Sequence, residues 1–126
     1  MRHRGSLSAM AVCLVPTLYL LAALSIDGGR LVVAHQRASD AAAIAARDGA
    51  QEIVGVMEGD PHVDGSAAVA RSSRCIHSLG YRGSVRATRE SVEVTVIAHV
   101  DLPMLSLIGI VRRQVRVTRW ADAVVG

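Results

Sequence analysis

The side chains able to do chemistry are few and scattered. The five histidines are His3, His35, His62, His77 and His99. None stands at the H-x-x-x-H or E-x-x-H spacing that brings metal ligands onto one helix face. Asp60, His62 and Asp64 form the densest polar cluster. It coincides with Gly59-Asp60-Pro61, where Asp60 reads as a helix N-cap and Pro61 as the first helical residue. Capping accounts for those residues without a metal. Cys75 and His77 are two apart on a predicted helix and so point in different directions. No G-x-S-x-G elbow, phosphate-binding loop or nucleotide fingerprint occurs. The reading is a protein that is not an enzyme and takes no cofactor.

The elements that would position such residues are equally uncatalytic. The chain has 126 residues, 51% of them hydrophobic, yet it lacks Phe and only 2% are aromatic. Ala, Val, Leu and Ile therefore carry the apolar content, which suits close helix packing better than a thick globular core. The net charge of +3 arises mainly from Arg2 and Arg4, and no Arg-rich stripe interleaves with stacking aromatics. Nucleic acid is thereby excluded as an expected partner. The two cysteines, Cys13 and Cys75, lie in different regions, so no intrachain disulfide is expected.

From Leu7 to Ile26 the chain runs uncharged. Twenty residues make about 30 Å of helix, the thickness of a bilayer's hydrocarbon core. Arg2, His3 and Arg4 precede the run and Asp27 closes it. The positive-inside rule then keeps residues 1–6 in the cytoplasm as a basic leader and exports the rest, giving a single-pass protein of the cell membrane with the lipid bilayer as its first partner. Pro16 falls mid-span, where membrane helices tolerate it. A cleaved signal peptide fits less well, because its apolar core is shorter and Ala23-Leu24-Ser25 is only a passable cleavage site.

Asp27-Gly28-Gly29-Arg30 reads as the membrane exit, with Asp27 able to pair with Arg30; the two glycines leave open a break or hinge, or a transmembrane helix that continues through them as one long rod. Residues 27–58 form a predicted helical stalk reaching to about Met57. Leu31, Ala34, Ala38, Ala41 and Ala45 recur at steps of three and four as a small-residue seam. Such a seam needs a partner, either the chain's own downstream domain or neighbouring subunits. Residues 59–126 form a small α+β domain. Its helix starts at Asp60, ends near Leu79 and is capped by Gly80. A short strand at Val85 and Ala87 and an Arg89-Glu90 turn lead to the alternating strand Val92–Val100. A last strand carries Val115, Val117 and Trp120. The apolar run Met104–Val111 is too short to span a membrane; it is a core segment or a surface patch resting on lipid or a partner. The fold class is α+β: a long N-terminal helix, a second helix and an antiparallel meander of about three strands.

Several of these features occur together in one known family. Arg4-Gly5-Ser6, the uncharged stretch with its mid-segment proline, Asp27-Gly28-Gly29-Arg30 and the run HQRASDAAAIAARDGAQ resemble TadE/TadG-like proteins of tight-adherence (Flp) pilus systems, the actinobacterial versions in particular. The resemblance spans Arg4 to Gln51. It implies a pseudopilin-like or minor-pilin role in assembling a pilus or related secretion apparatus, with other pilin-like or pilus-assembly subunits as partners. It also implies cleavage by a prepilin peptidase between Gly5 and Ser6, which would leave the membrane helix in place. Where many TadE-like members carry Glu five residues after the cut, this chain has Met10; TadG-like members can lack that Glu.

Overall fold

The computed structural model describes residues 3–123, with side chains from residue 5 onward. A single helix, α1, runs from His3 to Ala50, about 70 Å at 1.5 Å per residue. Pro16 sits inside it, and Thr17 Oγ1 donates to the Cys13 carbonyl at 2.7 Å one turn below. Of the two readings of Gly28-Gly29, a break or a continuous rod, the structure has the rod: the helix runs through both glycines. Two interior glycines cost about 1 kcal/mol each relative to alanine. The cost is offset where the rest of the fold grips α1 just before and after them.

α1 ends at Ala50, earlier than the expected Met57. The β-branched pair Ile53–Val54 leaves the helix as strand β1 and pairs antiparallel with β2, His62–Val63. A tight loop joins them, in which the Asp60 amide donates to the Gly55 carbonyl at 3.1 Å. Gly55 has φ of 78°, and a β-carbon there would run into the Asp60 carbonyl, so both its conformation and its space require glycine.

The second helix, α2, spans Gly65–Ser78 and is capped by Asp64, correcting the expected start at Asp60. Asp64 Oδ1 accepts from the amides of Ser66 at 3.2 Å and Ala67 at 3.3 Å and from the Ser66 hydroxyl at 2.9 Å. The helix starts late because His62 and Val63 are extended in the ladder with β1, which carries Val63 into the core at 3% exposure. Asp60 instead pairs with Arg89. At the other end Gly80, with φ of 82°, donates its amide to the His77 carbonyl, as a C-terminal glycine cap does.

Hydrogen bonds from the Ser66 hydroxyl and the Ala67 amide hold the Asp64 carboxyl below its ordinary value of 3.8. A carboxyl lowered by folding contributes stability that is complete above the unfolded value and lost as pH falls through the folded one. Asp64→Ala is therefore expected to lower the thermal midpoint most at neutral pH. The gap from the parent should narrow on acidification below pH 3.8.

Three strands complete the fold: β3 Arg82–Ala87, β4 Ser91–Asp101 and β5 Arg112–Asp122, an antiparallel meander in the order β3-β4-β5. In register, Val94 faces Val85 and Arg119, and Val96 faces Gly83 and Val117. Alternate residues of β4 thus turn to one face. Val92, Val94, Val96 and Val117 on that face are buried with Ala38, Ala42, Ala45, Ala46 and Ala50 of α1 and Val63, Ala68 and Ile76. The protein is a two-layer α+β fold whose core is built on the C-terminal half of α1.

This packing redirects the alanine seam. Ala38, Ala41 and Ala45 are at most 4% exposed within their own chain, so of the two partners open to the seam these three meet the chain's own domain. Leu31 and Ala34 are half-buried. Helix–helix contact is closest where Gly49 meets α2. Ser72 Oγ donates to the Ala45 carbonyl at 2.8 Å, and a β-carbon on Gly49 would lie 3.1 Å from the Ala68 carbonyl and against Ser72 Oγ.

Candidate functional site

Among the described residues no three of the side chains able to ligate a metal gather together, although Asp60 and His62 touch. His62 Nδ1 hydrogen-bonds the Asp60 carbonyl at 2.8 Å, Asp60 pairs with Arg89, and Asp64 caps α2. Each has a structural task. Arg71 of α2 bridges Glu52 and, at 3.1 Å, Asp48, and those hydrogen bonds hold its guanidinium more firmly protonated than usual. Cys75 is half-buried and unbridged. Burial, reinforced by the Asp48 charge, pushes its thiol up, so it is a poor nucleophile at neutral pH. Cys13 is exposed on α1. The groove lined by Arg47, Gln51, Ile53, Trp120 and Asp122 brings no nucleophile against a base.

The site with a strong physical signature is the N-terminal half of α1. Leu7, Met10, Val12, Leu14, Val15, Leu18, Leu21 and Leu24 are each at least half exposed. Among the described residues, α1 is the one helix long and apolar enough to cross a membrane. A surface apolar all round a helix, with nothing of the chain against it, calls for an apolar solvent or partner. Gly5 and Ser6 lie exposed in the first turns of this helix.

At the top of that surface the chain folds back on itself. The β4–β5 hairpin ends in a tip whose short 3₁₀ turn, η1, covers Leu105–Ile108. Tyr19, Ala23 and Asp27 form one stripe of α1 at four-residue spacing, and the tip lies on that stripe. The Tyr19 hydroxyl donates to the Met104 carbonyl at 2.8 Å. Asp27 Oδ2 accepts from the Leu105 amide at 2.7 Å. Ala23 and Asp27 are fully buried.

The expected Asp27–Arg30 pair is thus replaced by a contact 78 residues away in sequence. Gly28 is half-buried, and Gly29 and Arg30 are exposed beside it. Asp27 Oδ1 is buried without a hydrogen-bond partner among the described residues. Tyr19 carries no distinguishing sequence signal, since its partner is a backbone carbonyl 85 residues away.

Neither the curated proteins nor the solved structures gave a match to this chain. The family model described as Flp pilus-assembly TadE/G-like matches residues 5–52. That span is nearly coextensive with α1: it starts two residues after the helix begins and ends two after it closes. The matched region therefore contains both the exposed apolar surface and the alanines on which the α+β layer is built. Over residues 5–52 the chain is similar to the TadE/G-like family of Flp pilus assembly.

Proposed function

We propose that the chain is a non-catalytic, membrane-anchored subunit, pseudopilin-like or a minor pilin, of a Flp-type pilus or related secretion apparatus. The observation that carries this reading is the coincidence of the matched segment with a helix whose N-terminal half is apolar and uncovered. In this reading residues 1–6 are a cytoplasmic leader and 7–26 span the bilayer. Asp27 to Arg30 mark the exit, and the α+β layer lies on the extracytoplasmic side. A prepilin peptidase would cut between Gly5 and Ser6, which occupy an exposed stretch before the span.

Intact mass and N-terminal sequencing of protein from native membranes test it directly. A start at Ser6, with part of the protein recovered in sheared surface filaments, is the expected result. A start near Ile26 would remove the anchor and the proposal with it.

The burial of Ala38, Ala41 and Ala45 inside their own fold favours a second reading, a membrane-tethered extracytoplasmic binding module that enters no filament. It predicts an uncut Met1 start and recovery in membranes alone.

A further inference from the structure

We infer that the tip of the β4–β5 hairpin is a second membrane-inserted element, seated among acyl chains of the leaflet on the side of the α+β layer. The inference rests on the reading of α1 as a membrane anchor. From Leu102 to Val111 the tip has no charged residue. Leu102 is buried, while Leu107, Ile108 and Val111 are 76%, 54% and 62% exposed. Exposed side chains of this size, grouped at the end of a hairpin, need a cover.

Lipid is the cover that the geometry supports, because the tip is continuous with the apolar span. It is fixed to Tyr19 and Asp27, eight residues apart, so it runs beside roughly 12 Å of helix. All of that stretch except Asp27, which closes it, belongs to the uncharged run Leu7–Ile26. A bilayer that covers the run also covers the tip.

The charges fall where this depth requires. Asp101 and Arg112 close the hairpin above the tip with an ion pair at 2.9 Å, and Arg113 follows on β5 while Arg30 follows on α1. On each element, charged residues thus begin where the apolar stretch ends.

The tip's backbone is also prepared for lipid, where an unpaired amide is costly. Leu102 donates to Val111, Ser106 to Leu102, Gly109 to Ser106 and Ile110 to Leu105. Pro103 has no amide to satisfy. Asp27 takes the Leu105 amide, and Tyr19 supplies a donor to the Met104 carbonyl. The polar groups of α1 thus add two hydrogen bonds to the backbone of the tip, while Asp27 Oδ1 keeps no partner among the described residues. Two attachments at different depths would fix the tilt and rotation of the extracytoplasmic layer, which a single helix leaves free.

The test uses the full chain with Cys13→Ala and Cys75→Ala, carrying an environment-sensitive fluorophore on Leu107→Cys, with Ile108→Cys as an independent second position. Leu14→Cys reports the span and Thr95→Cys the outer face of the sheet. Each is reconstituted in phosphatidylcholine vesicles containing lipids with a nitroxide near the headgroup or near the chain end. The expected result is blue-shifted emission at Leu107 and Ile108, with stronger quenching by the shallow nitroxide than by aqueous iodide. Iodide quenching equal to that at Thr95, with Leu14 still quenched by lipid, would overturn the inference while leaving the anchor intact. Shielding from both quenchers would overturn it in favour of a protein cover such as a second copy. Loss of lipid quenching at Leu14 itself would remove the anchor reading on which the inference depends.

Discussion

Replacing Leu14 and Leu18 together with arginine is expected to abolish stable membrane association while leaving the α+β layer folded. Both leucines lie near the middle of the uncharged run and are 50% and 57% exposed, so neither supports the core. Each leucine-to-arginine change at the centre of a membrane helix costs about 3–4 kcal/mol of insertion free energy, and two cost roughly 6–8. Arginine snorkels only near helix ends, and Leu14 is too central for its side chain to reach water cheaply. The measurement is the carbonate-resistant fraction of the expressed protein, with limited proteolysis to confirm the folded layer. Parent-like pelleting of a folded variant would mean that protein rather than lipid covers this half of α1.

The second large effect lies at the α1–α2 crossing. Gly49→Val should destabilise the layer by about 3 kcal/mol, the upper part of the range for overpacking. A β-carbon there meets the Ala68 carbonyl at 3.1 Å, a Val92 methyl at 3.3 Å and the Ser72 hydroxyl. Rotation of Ser72 would relieve the last contact but break its bond to the Ala45 carbonyl; the backbone carbonyl cannot rotate away. For a domain of ordinary marginal stability this is a large share of the total. Gly29→Ala is the matched control. Nothing lies within 4 Å of a β-carbon at that position, so helix propensity alone should make it neutral or stabilising by up to about 1 kcal/mol. Thermal unfolding in detergent would separate the two. An equal loss at Gly29 would show that the helix there needs glycine for a reason other than space.

Much of the outline was legible because it follows from periodicity. The uncharged run needs no tertiary information to be an apolar helix, and β4 is recognisable from the alternation of Val92, Val94 and Val96 with Glu93 and Thr95. The Arg89-Glu90 bend, β5 and the Gly80 cap follow from similarly local patterns. The start of α2 was not legible in the same way. Asp60-Pro61 and Asp64-Gly65-Ser66 both satisfy the preferences of a helix N-terminus. The choice fell to Asp64 because pairing of Ile53–Val54 with His62–Val63 is a non-local gain that keeps His62 and Val63 extended.

The sequence by itself determined a long apolar helix preceded by Arg2, His3 and Arg4, an α+β remainder, and scattered histidines and cysteines. Those properties reside in composition and in spacings of two to four residues. Only the tertiary structure decided where the small residues of α1 are spent and what the second apolar run touches. Ala38 and Ala45 have the same spacing whether they face a sheet of their own chain or a neighbouring helix. Burial against Val92, Val94 and Val96 settles which. Asp27 likewise reads as an exposed membrane-exit charge until a hairpin tip 78 residues later turns its Leu105 amide toward it. A hydrogen bond of that separation depends on how strands and helix pack, and no local pattern encodes it.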